Sequence, residues 1–142
     1  MIRDYIAVDV ETTGLNPARD RLLEIGAARI LNGKVEATYQ TFIDAGVEVP
    51  ERITELTGIT DEMRLSGKRP EQAIPEFLEF CGELPILVHN VSFDFGFVKQ
   101  AAVNQGLTFE REALDTLKIA RKLLPDLLSR RLPDLCAYYQ VD

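Results

Sequence analysis

Hydrophobic and polar residues alternate from position 4 to position 11. Ile6, Val8 and Val10 fall on one side, and Tyr5, Ala7, Asp9 and Glu11 on the other, the period-two signature of a half-buried strand. Two more strands are expected over 23–30 and 35–43. Between them Asn32-Gly33 predicts a tight hairpin, because both residues tolerate positive φ. The three strands should therefore form an antiparallel meander. Thr12-Thr13-Gly14-Leu15-Asn16-Pro17 reads as a loop from its glycine and proline.

Beyond position 50 the period changes. Residues 50–56 predict a short helix opened by proline, and 60–64 a further short turn. Over 70–81 the apolar stripe Ala73, Ile74, Phe77, Leu78 and Cys81 has helical spacing and is closed by Gly82. The short apolar run 85–89 fits a buried parallel strand. Ser92 is the expected N-cap of a helix reaching about Asn104. A last strand over 112–116, a helix through Leu124 and another over 131–140 complete the pattern. The expected fold is α/β: a mixed five-stranded sheet, its first three strands antiparallel, flanked by helices within one domain, 1–142.

At 142 residues and 46% hydrophobic content, one domain with a real core is expected. No apolar run is long enough to span a membrane, and Met1-Ile2-Arg3-Asp4 leads straight into strand-like sequence without a signal peptide. Cys81 and Cys136 lack CxxC spacing and read as reduced thiols of a soluble cytoplasmic protein. The net charge of −7 argues against a general nucleic-acid coat, though not against an enzyme that grips a few nucleotides through cations. Residues 115–142 are an exception, with five basic side chains (Lys118, Arg121, Lys122, Arg130, Arg131) against four acidic. That weak asymmetry reads as a solvated helix face rather than a phosphate track.

Asp9 strains a purely structural reading, since aspartate is depleted from strand interiors. Glu11 leaves the same face two residues later. Two carboxylates about 5 Å apart repel by roughly 3 kcal/mol at an effective dielectric near 20. A divalent cation or a raised pKa compensates, and carboxylate oxygens suit Mg²⁺ or Mn²⁺. By itself an Asp-x-Glu pair also fits an edge strand facing water. Asp94, in the first turn after the 85–89 strand, adds a third carboxylate where open α/β sheets place their sites, although a helix start also favours aspartate for its dipole. Three such groups suit a metal pair that activates water and stabilises the leaving oxygen of a phosphodiester.

Ala7-Val8-Asp9-Val10-Glu11-Thr12-Thr13-Gly14-Leu15 resembles the first motif of the DEDDh (DnaQ-like) 3′→5′ exonucleases, which include the proofreading subunit or domain of bacterial replicative polymerases. Leu56-Thr57-Gly58-Ile59-Thr60 and Val88-His89-Asn90-Val91-Ser92-Phe93-Asp94 resemble later segments of that family. So does the run from Asp115-Thr116-Leu117 and Ala120-Arg121 to Leu132-Pro133-Asp134-Leu135-Cys136. The resemblance implies an RNase H-like fold and two Mg²⁺ or Mn²⁺ ions on Asp9, Glu11 and Asp94. It implies a terminal nucleotide against the backbone of Thr12 and Thr13, Leu15 as an apolar wedge beside its base, and Ile59 either touching a base or in the core. The implied substrate is a 3′ end of single-stranded or frayed DNA, or RNA, with a polymerase or another replication or repair protein as partner.

The family pattern also calls for a histidine base and a fourth acid beyond Tyr139, so the chain is expected to be truncated. His89, the sole histidine, belongs to the second motif and reads as a hydrogen-bonded structural residue. Tyr138 and Asp142 have the spacing of a tyrosine-based variant and are the weaker alternative. Asp115 reads first as a structural hydrogen-bonding group and second as support for the site. The competing function is a catalytically impaired module that binds nucleic-acid ends or a protein without cutting.

Overall fold

The computed structural model describes residues 3–89, 91–127 and 129–140, with the backbone alone at 91 and 92. Five strands form one mixed sheet: β1 (Tyr5–Thr12), β2 (Leu22–Leu31), β3 (Lys34–Phe42), β4 (Ile86–Val88) and β5 (Ala113–Asp115), in the order β3-β2-β1-β4-β5. Six helices accompany it: α1 (Glu51–Thr57), α2 (Asp61–Leu65), α3 (Pro70–Cys81), α4 (Val91–Asn104), α5 (Thr116–Leu123) and α6 (Leu132–Tyr138). The expected meander is present, with β1 antiparallel to β2 and β2 antiparallel to β3. Its hairpin turns on Asn32 and Gly33, at φ 53° and 74°, the geometry that favours this residue pair.

β4 pairs parallel to β1, and β5 parallel to β4. β4 is shorter than the expected 85–89 run. Pro85 has no N–H for a ladder, though its carbonyl still accepts from Ile6 N at 2.9 Å. α4 begins at Val91, which places Ser92 inside the first turn rather than at the cap; its side chain lies outside the described residues. The 60–64 turn is a helical turn, α2, capped by Thr60 Oγ1 accepting from Met63 N at 3.2 Å.

The two faces of β1 part company as its alternation requires. Ile6, Val8 and Val10 are buried in the main core against Ala73, Ile74 and Phe77 of α3 and Phe97, Val98 and Ala102 of α4. Each of the larger side chains contributes about 1.5–3 kcal/mol of burial. A second cluster joins Leu23 of β2 to Val49, Ile53 and Ile59, seating α1. Leu22 and Leu23 are both buried, in different clusters, because the β1–β2 register shifts between Glu11 and Thr12. Cys81 and Cys136 are free thiols, and burial pushes the Cys81 thiol up to about 12. Among the described residues no helix is long and apolar enough to cross a membrane.

Candidate active site

Parallel pairing sends the carboxyl ends of β1, β4 and β5 to one edge of the sheet, where open α/β sheets hold their ligands. Asp9 and Glu11 lie in the last half of β1, on the face opposite Ile6, Val8 and Val10. Asp94 enters from the first turn of α4, and its Oδ2 accepts a hydrogen bond from Val10 N at 3.2 Å. That bond ties the α4 carboxylate to the strand carrying the other two. Asp115 ends β5 opposite Val88, and its side chain accepts from Leu117 N at 2.9 Å and Lys118 N at 3.4 Å. It is therefore the N-cap of α5.

The charges of this edge act on one another. The Asp94 carboxyl is raised to about 7, first by burial and then by Asp9, with the Val10 amide opposing and Glu11 and Asp115 adding to the rise. Asp94 is only 6% exposed. Asp9 reaches solvent, yet the protein crowding its carboxyl raises its pKa, the Val10 backbone opposes, and Glu24 raises it again. Glu11 is raised by burial, then by Asp9, then by Glu24. Glu24 sits directly across from Glu11 in the β1–β2 ladder, and like charges in that position are destabilising. Sequence reasoning missed Glu24. It faces Glu11 only through the β1–β2 register, which no local pattern in the sequence signals.

The loop after β1 is organised by a second residue that sequence reasoning missed. Asp20 Oδ2 accepts from Asn16 N at 2.9 Å, and Oδ1 accepts from Thr13 Oγ1 at 3.3 Å. A Cβ on Gly14 would lie 2.5 Å from the same carboxylate, which is why glycine occupies that position. Thr12 and Thr13 are buried, and Thr13 N already donates to Arg21 O at 2.9 Å. The Thr13 amide is thus committed inside the protein. Leu15 stands 82% exposed at the loop tip. Ile59, only 2% exposed in the second cluster, takes the core role of its two readings.

His89 is structural, as its place in the sequence suggests. Thr116 Oγ1 donates to Val88 O at 3.2 Å, so it accepts from His89 Nδ1 at 2.9 Å and fixes the proton on that nitrogen. Tyr138 is exposed at the end of α6, while its proposed companion Asp142 lies outside the described residues.

Carboxylate oxygens of this kind suit a hard divalent cation. Among the described residues no three histidine, cysteine or acidic side chains are already gathered as a metal cage. The fit rests instead on carboxyls close enough to raise one another's pKa, with Asp94 turned toward the Val10 amide. A bound cation would relieve that repulsion.

The RNase T exonuclease family model matches residues 6–142. The PolC-type DNA polymerase III of Caldanaerobacter subterraneus is 38% identical over 97% of this chain and 10% of that protein. The Clostridium perfringens counterpart is 37% identical over 91% of this chain and 9% of its own length. The chain spans about a tenth of the length of these curated relatives. Among solved structures, E. coli exonuclease I with a dA16 oligonucleotide superposes at a TM-score of 0.84 and 19% identity, over 99% of this chain and 37% of that one. Exonuclease X in complex with 5′ overhanging duplex DNA gives 0.78 at 22% identity, over 97% and 74%. At such identities the likeness shows the fold, which is RNase H-like. With the family match spanning nearly the whole sequence, this chain belongs to the RNase T exonuclease family.

Proposed function

We propose that this chain is the nuclease domain of a 3′→5′ exonuclease that removes nucleotides from single-stranded or frayed DNA ends, in association with a replicative polymerase. The observation that carries the reading is Asp94, a buried carboxyl raised to about 7 beside Asp9 and Glu11. Asp9, Glu11 and Asp94 would hold two Mg²⁺ or Mn²⁺ ions. Such ions, when bound, neutralise the phosphodiester and polarise water for attack.

The chain's own residues supply position and exclusion. The Val10 amide holds the Asp94 side chain against β1. Asp20 and Gly14 fix the loop that presents Leu15, whose exposed side chain would stack on or wedge beside the terminal base. Asp115 fixes the start of α5 while adding negative potential at Asp94. The PolC-type relatives support the polymerase association, and the exonuclease structures bound to DNA support the substrate class.

A second reading, a module that binds DNA ends without cutting, draws on His89. Its Nδ1 is tied to Thr116 Oγ1, and it stands in the second-motif segment rather than at the base position of the family pattern. Both readings are tested with a 5′-labelled single-stranded oligonucleotide and Mn²⁺. The chain is assayed alone and fused to the segment that follows the matched region in the C. perfringens relative. A ladder of 3′-shortened products that chelation stops supports the exonuclease. Binding without cleavage by either form would establish the module instead.

A further inference from the structure

At the carboxyl end of β4 and the start of α5 lies a pocket of about 300 Å³ lined by His89, Leu117, Arg121, Arg130, Arg131 and Leu132. Its polar lining is entirely cationic or imidazole, with no carboxylate among the six, in a chain whose net charge is −7. The fold assembles it from three places. His89 follows β4, Leu117 and Arg121 come from α5, and Arg130 to Leu132 lead into α6.

The arginines are differently committed. Arg130 is anchored by backbone carbonyls, Nε donating to Leu124 O at 3.0 Å and Nη2 to Pro125 O at 2.5 Å. Its remaining donors stay uncommitted among the described residues. Arg131 is partly neutralised by Asp134 at 3.3 Å, which also accepts from Ser129. Arg121 makes no hydrogen bond or ion pair among the described residues. Guanidinium groups gathered in this way repel, and a planar fork of donors matches a phosphate best.

Position connects the pocket to the site. β1 and β4 pair in parallel with Ala7 opposite Leu87, so His89, just past the end of β4, comes to the same end of the sheet as Asp9.

We infer that this pocket binds a phosphate group through Arg121 and Arg130, namely a backbone phosphate of the strand whose end lies at Asp9, Glu11 and Asp94. The inference rests on the exonuclease reading of the neighbouring carboxylates. Free inorganic phosphate shares the same chemistry and is the other source to distinguish. The structure thereby gives the basic excess of residues 115–142 a phosphate-facing role that its linear pattern does not show.

The test is the affinity of the chain for a labelled single-stranded oligonucleotide in Ca²⁺, across a salt series. Arg121→Gln and Arg130→Gln are compared with Lys34→Gln, which removes the same charge at the far hairpin. Each pocket variant is expected to weaken binding roughly tenfold, as loss of a charge-assisted hydrogen bond does. The double variant should lower the salt slope by about 0.7 for the one phosphate released. Lys34→Gln should change little.

A single methylphosphonate linkage, moved along the oligonucleotide, should weaken wild-type binding at one position and have no further effect there in Arg121→Gln. If the scan is flat but inorganic phosphate shifts the Arg121 and Arg130 Nε resonances, the pocket takes free phosphate. Oligonucleotide affinity and Nε resonances both unmoved would overturn the inference, even with the exonuclease intact. An oligonucleotide that never binds, with resonances still shifted by phosphate, would overturn the exonuclease reading and leave the pocket. Arg121 makes no hydrogen bond or ion pair among the described residues, so its variant keeps the test valid if Arg130→Gln fails to fold.

Discussion

The two faces of β1 are built to opposite ends. One carries Ile6, Val8 and Val10 into a close-packed core with Phe77 and Phe97, where every substitution meets neighbours. The other carries Asp9 and Glu11 toward Glu24, Asp94 and Asp115, where carboxyls raise one another's pKa. The first face stabilises the fold and does nothing else. The second holds like charges together at the expense of stability, as functional edges do. A single strand thus separates an apolar face from an acidic one by the direction in which alternate side chains point.

That contrast breaks most sharply under removal of the carboxylates. Asp9→Ala or Asp94→Ala should lower the rate of 3′ shortening on the order of a thousandfold in a cleavage-competent form, with thermal melting showing no loss of fold. Near wild-type rates in either variant would remove the residue from the site. On the opposite face, Phe77→Ala should cost about 3–5 kcal/mol in denaturant unfolding, since the ring is fully buried. A cost within the range of a surface change would mean that this core is not what holds the domain.

A subtler change acts in the reverse direction. Asp94→Asn keeps an acceptor for Val10 N but removes the charge, and should stabilise the metal-free protein at pH 8 by on the order of 2 kcal/mol after allowance for water at the site. The pH dependence follows from the raised pKa. Between about 4, the ordinary carboxylate range, and about 7, the folded form holds a proton that the unfolded chain has released. The stability from this group is full below that window and is lost as pH rises through 7. Unfolding curves of wild type and Asp94→Asn should therefore converge below about pH 4, draw apart between about 4 and 7, and stay apart above 7. Curves that stay parallel would show that Asp94 is not strained.

The smallest effect is expected at the loop tip. Leu15→Ala should change stability by less than about 0.5 kcal/mol, because the side chain is 82% exposed. It should nevertheless raise KM for a single-stranded oligonucleotide more than it lowers kcat. An unchanged KM would remove Leu15 from the substrate path.

Much of this was legible in the sequence, because it rests on local periodicity. The β1 alternation, the Asn32-Gly33 hairpin and the 70–81 helix need no knowledge of distant contacts, and each stands where its pattern places it. That Asp9 and Glu11 leave one face of β1 and that Asp94 lies in the first turn of α4 was readable for the same reason. What was not legible depends on register and on loops. Glu24 faces Glu11 through the β1–β2 pairing, and Asp20 fills the space above Gly14 through a turn. Ile59 could be turned either way by its motif, and only the packing of α1 under Leu23 commits it to the core. The arginines at 121, 130 and 131 look like a solvated face until the α5–α6 connection folds them around His89.

The central claim, that Asp9, Glu11 and Asp94 form one divalent-cation site, is tested most directly by calorimetric titration with Mn²⁺ at pH 7 in two buffers of different ionisation enthalpy. Wild type should bind Mn²⁺ with release of a proton, since Asp94 is partly protonated before the ion arrives, and Asp94→Ala should lose both the binding and the proton. Equal Mn²⁺ binding by the two proteins, with no proton released by either, would contradict the account.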